Sequence, residues 1–109
     1  YSSEAEIEDA RDRQLAQRNQ TIKIAEKRLQ EHLTAREKLN HEKEFYQNKA
    51  LPDKLQKAFE ASDAVIRAEE KIIAALKADI VRINERFDED RRRYKEIIEA
   101  GARPIKRLP

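Results

Sequence analysis

The chain has 109 residues, 42 % of them charged, with one Gly and no Trp, Met or Cys. That leaves room for one domain and gives the composition of long helices rather than of a mixed α/β core; disulfides are excluded, and no run approaches the ~20 apolar residues of a membrane span. The net charge of +2 comes from 24 basic and 22 acidic residues interleaved at short spacing, which marks solvated helix faces and names neither a nucleic-acid nor a membrane partner.

Ser3 reads as an N-cap with Glu6 three residues on, a capping box, and Glu4, Glu6, Glu8 and Asp9 suit the positive end of a helix dipole. No Gly or Pro follows until Pro52, so the first helix is expected over about 4–48. Its apolar stripe is thin: Leu15, Ile22 and Leu29 at one heptad position, Ala25, Leu39 and Tyr46 at the other, with Arg11, Arg18, His32 and Arg36 filling the same face. Asn48-Lys49-Ala50-Leu51-Pro52-Asp53 is the turn, with Asn48 suited to a left-handed closing residue and Pro52 to the first position of the next helix. A second helix is expected over about 52–100, stopped by Gly101 and Pro104. The domain reading is therefore a helical hairpin over 1–101 and a basic, Pro-containing tail over 102–109.

The second helix organises the chain. Leu55, Phe59, Ser62, Ile66, Glu69, Ile73, Leu76, Ile80, Ile83, Phe87, Asp90, Tyr94 and Ile97 follow one another at spacings of four and three without a break. Such a stripe needs a second helix to cover it. A short turn between long helices makes them antiparallel neighbours, so the expected fold is all-α, a coiled-coil hairpin. The register that pairs Leu15 with Phe87 also sets Arg11 opposite Asp90 and His32 opposite Glu69, with Arg36 one turn from His32. Polar layers of this kind fix alignment at some cost in stability.

A second seam adjoins the first: Ala58, Ala61, Val65, Ala68, Ile72 and Ala75 keep the same spacing. One partner helix cannot cover both faces. An isolated two-helix hairpin buries little surface for its length, and small residues let another helix approach closely. The expectation is a homodimer of hairpins in a four-helix arrangement. The plainer alternative is that these alanines are good helix formers on a solvated face.

No constellation for chemistry stands out. Ser2, Ser3 and Ser62 have no base at a catalytic spacing. Neither His32 nor His41 follows a Glu by three residues, so the ligand set of a di-metal bundle is incomplete; a metal site, a cofactor, a small-molecule substrate and an enzyme are not expected. Arg91-Arg92-Arg93-Tyr94-Lys95, extended by Arg103, Lys106 and Arg107, could form a basic element for an anionic polymer or lipid, but Asp88-Glu89-Asp90 precede it and Glu96 and Glu99 follow.

Tyr1-Ser2-Ser3-Glu4-Ala5, Ala10-Arg11-Asp12-Arg13, the Leu51-Pro52 turn, Arg86-Phe87-Asp88 and Arg93-Tyr94 form a pattern. It resembles the C-terminal coiled-coil region of uncharacterised proteobacterial secreted proteins whose N-terminal part is a small β domain (the DUF4124 type). The resemblance implies a periplasmic or envelope setting and a domain upstream, and the lack of a methionine at position 1 agrees with a processed or excised chain. It carries no functional residues. The expected function is a non-enzymatic spacer or dimerisation element; the alternative is a binding module for a protein partner or, through 91–95 and 103–107, for an anionic polymer.

Overall fold

A computed structural model describes residues 1–102 and shows an all-α helical hairpin of two helices, α1 (Glu4–Glu44) and α2 (Asp53–Ala102). The tail expected over 102–109 lies, apart from Ala102, outside the described residues.

α1 starts where Ser3 caps it: the Glu6 N–H donates to Ser3 Oγ at 3.1 Å, satisfying one of the four amides a helix start leaves without partners. The other half of the capping box is displaced by one residue. The Glu6 carboxylate accepts from the Ser2 N–H at 2.9 Å and from the Ser2 hydroxyl, not from Ser3. These two bonds hold the Glu6 carboxyl below its ordinary value of 4.5, the hydroxyl contributing most and the backbone N–H next.

The turn corrects two expectations. α1 ends at Glu44 rather than at 48, and Asn48 is not left-handed, since no described non-Gly residue has a positive φ. The chain instead tightens. Phe45, Tyr46 and Lys49 donate their N–H groups to the carbonyls of Glu42, Lys43 and Tyr46, each three residues back. Such 3₁₀-type bonds use up terminal carbonyls without a left-handed residue.

Pro52 stands just before α2, not inside it. Its carbonyl accepts from the N–H groups of Leu55 and Gln56, both at 3.0 Å, and the Gln56 side chain donates to the Leu51 carbonyl at 3.2 Å. At the far end α2 runs through Gly101 to Ala102, where a stop at 100 was expected. A glycine ends a helix by turning left-handed, and Gly101 has no positive φ. Staying helical costs it only ~1 kcal/mol relative to Ala.

The chain divides into two compact units. One joins Tyr1–Asn19 to α2 from Ala78 onward. Its core is Ile7, Ile83 and Phe87, with Ala10, Leu15 and Tyr94 packed against them. Around that core Arg11 meets Asp88 at 2.7 Å, Glu8 meets Arg91 at 3.5 Å and Glu4 meets Lys95 at 3.8 Å. Each step back along α1 is matched by an equal step forward along α2, the signature of antiparallel pairing. The Tyr94 hydroxyl donates to the Ser2 carbonyl at 3.1 Å and ties the start of the chain to α2.

The other unit is Gln20–Lys77, containing the turn. Ile22, Ala25, Leu55 and Ile73 are its buried apolar residues. Ion pairs join its helices. Arg28 donates to both Glu69 oxygens, at 2.9 and 3.3 Å, and Arg36 pairs with Asp63. The Arg36 guanidinium also lies over the Phe59 ring, 4.7 Å from its centroid, and the Lys43 ammonium lies 5.7 Å from the same centroid. These are cation–π distances.

Candidate interaction surface

The periodic stripe of α2 is the face turned to α1. Every member from Leu55 to Tyr94 is buried or half-buried, and only Ile97 is open. Lys95 already meets Glu4, the first residue of α1, so Ile97 lies past the end of its cover.

The polar residues expected to set the register stay on that face but change partners. Arg11 pairs with Asp88 and Glu8, not with Asp90, which has no ion pair among the described residues. Ile7, fully buried, takes the seam place that the heptad count gives to Glu8. The layer there is apolar, and Arg11, its side chain only 16 % exposed and its Nε buried without a hydrogen bond, reaches across to the well-solvated Asp88.

Glu69 pairs with Arg28 rather than with His32. A guanidinium presents two parallel donors to a carboxylate, which an imidazole cannot do. Arg36 joins Asp63, outside the stripe, and does not share Glu69 with His32. His41 lies 3.8 Å from Glu44. Ser62 sits in the seam as a small residue, and its hydroxyl is buried without a hydrogen-bond partner.

The second seam behaves differently. Ala58 is half-buried, but Ala61, Val65, Ala68, Ile72 and Ala75 are all exposed, with Val65 at 39 % and Ile72 at 41 %. α1 covers one face of α2 and leaves this one open.

The basic stretch near the end of α2 is already matched by carboxylates. Arg91 lies 3.5 Å from Glu8, Arg92 and Arg93 lie 2.7 and 3.3 Å from Glu89, and Lys95 lies 3.8 Å from Glu4. An anionic polymer would have to displace these partners. The 103–107 extension lies outside the described residues.

Beside the turn, Leu39, Tyr46, Pro52, Leu55 and Ala58 line an open cleft with Phe45 at its edge. Phe45 is 84 % exposed, and sequence periodicity gave no sign of it, because the residue lies past the last turn of α1. Among the described residues no group of three or more His, Asp or Glu side chains is placed to hold a metal ion, and no helix is long and apolar enough to cross a membrane.

Fold and surface together define an all-α helical hairpin with one covered and one open apolar face on α2. No protein-family model, curated protein or solved structure matches the chain.

Proposed function

We propose that the chain is a non-enzymatic structural module, a coiled-coil dimerisation element in which two hairpins associate through the second seam of α2. The observation that carries this reading is the open face at Val65 and Ile72. Two β-branched apolar residues one heptad apart, framed by Ala61, Ala68 and Ala75, form a continuous stripe that α1 leaves exposed. Helix faces that are apolar beyond one stripe belong to a second contact. The core within one chain is also thin: seven buried apolar residues among those described, which favours a fold completed by association.

Sedimentation or light scattering at high micromolar concentration tests the reading. Twice the 12.9 kDa of one chain is expected. A V65E/I72E variant should return to the mass of one chain with its helical circular dichroism unchanged. A wild-type monomer at that concentration refutes self-association and leaves a different protein partner as the occupant of the face.

A further inference from the structure

We infer that the two copies of α2 meet antiparallel, about a two-fold axis passing between Ile66 and Arg67. This rests on the dimer reading above and adds the orientation that the face itself selects.

Along the open seam, large and small residues are not evenly distributed. Val65 and Ile72 occupy one heptad position, while Ala61, Ala68 and Ala75 occupy the other. In an antiparallel pair, residues of the first position meet residues of the second. Val65 then faces Ala68 of the second copy, and Ile72 faces Ala61. Each of the four central layers holds one branched residue and one alanine, so the gap between the helices stays even there, and Ala58 meets Ala75 at either end. A parallel pair in register would stack Ile72 on Ile72 and Val65 on Val65, with Ala68 on Ala68 between them. The wide layers would hold the helices apart and leave voids at the alanine layer, against the packing density that helix interfaces reach.

The charges flanking the seam agree. Glu60 and Lys71 are exposed, and neither has an ion-pair partner among the described residues of its own chain. In the antiparallel pair Lys71 lies across from Ala64 of the second copy, one turn from that copy's Glu60. The symmetry makes this contact twice. On the opposite flank Glu69 lies across from Ser62 of the second copy, and its charge is already held by Arg28 of its own chain. Arg67, also exposed, stands beside its own copy at the axis, so the charge match on this flank rests on the two Glu60–Lys71 contacts alone. In the parallel pair Glu60 and Lys71 of different copies stand about eleven residues apart along the axis, ~16 Å, and cannot meet.

Two measurements on the full chain test the orientation. Charge reversal comes first: K71E should weaken dimerisation about tenfold by setting Glu against Glu60 in two places, and E60K/K71E should restore it. Spin labels come second, since the chain has no cysteine of its own. A label on K57C, at the rim of the seam, should report ~28 Å between copies, from about nineteen residues of axial offset. A parallel pair would give roughly the interaxial ~10 Å. A dimer with the short label distance, or one in which the double variant associates no better than K71E alone, overturns the antiparallel orientation and leaves the dimer standing. A monomeric wild type overturns both.

Discussion

Ile7 of α1 and Phe87 of α2 are the two large side chains with no exposed surface among the described residues, and they share one cluster with Ile83. The heptad count places Glu8 at this level of α1. The helix instead turns Ile7 inward, because an aliphatic side chain gains from burial beside Phe87 whereas a carboxylate there would lose its hydration. Glu8 is thereby left partly exposed, with its Oε1 buried and not hydrogen-bonded but within 4 Å of both Arg11 and Arg91.

Truncating Ile7 should therefore cost more than its position near the chain start suggests. I7A is expected to destabilise by about 3 kcal/mol, within the usual range for emptying a buried aliphatic site. L15A, at a half-buried position packed against the same cluster, should cost less. Urea unfolding followed by circular dichroism, at fixed protein concentration, orders the two. If L15A proves the costlier, Ile7 is not a cornerstone of that core.

Arg28 and His32 make a second comparison. Glu69 is only 12 % exposed, and both its oxygens accept from Arg28. R28A strips a largely buried carboxylate of its partner and should cost about 1 kcal/mol, discounted because Arg28 itself is half open to solvent. H32A should stay within about 0.5 kcal/mol, because it breaks no ion pair. Equal losses would restore His32 as the partner of Glu69.

The architecture was legible because it depends on side-chain polarity repeated over many turns. From Leu55 to Tyr94 the four-three rhythm marks the face α1 covers, and the Ala61–Ala75 seam marks the face α1 leaves open. What was not legible depends on one or two residues at a time. Arg11 and Arg36 sit on the expected face, but their side chains are long enough to choose among several carboxylates, and heptad arithmetic cannot rank Asp88 over Asp90 or Asp63 over Glu69. Helix ends were misplaced for a related reason. Asn48 and Gly101 can adopt left-handed backbone, but nothing in their identity obliges them to. Ile7 did leave a signal: it is the single bulky aliphatic residue before Leu15.

Ser62 offers a gain rather than a loss. Its hydroxyl is buried and has no partner, so it carries a desolvation cost without a compensating bond. S62A keeps the small volume that the seam requires, removes that cost and replaces a moderate helix former with the best one. An increase in stability of up to about 1 kcal/mol is expected in thermal or urea unfolding. Destabilisation would mean that the hydroxyl is bonded in solution.

The Glu6 cap gives a pH signature. Because Ser2 bonds the ionised carboxylate, the folded-state value lies below the ordinary 4.5, and the unfolded chain binds the proton more readily than the folded one. The contribution is thus fully present above that ordinary value and is lost as pH falls through the lower folded value. E6Q keeps the shape and removes the ionised acceptor. Amide exchange in the first turn of α1 should be faster in E6Q than in the wild type at neutral pH, after correction for intrinsic rates. The difference should shrink as the solution is acidified below the normal carboxylate range. A gap that widens on acidification would mean that the protonated form of Glu6, not the carboxylate, makes the cap.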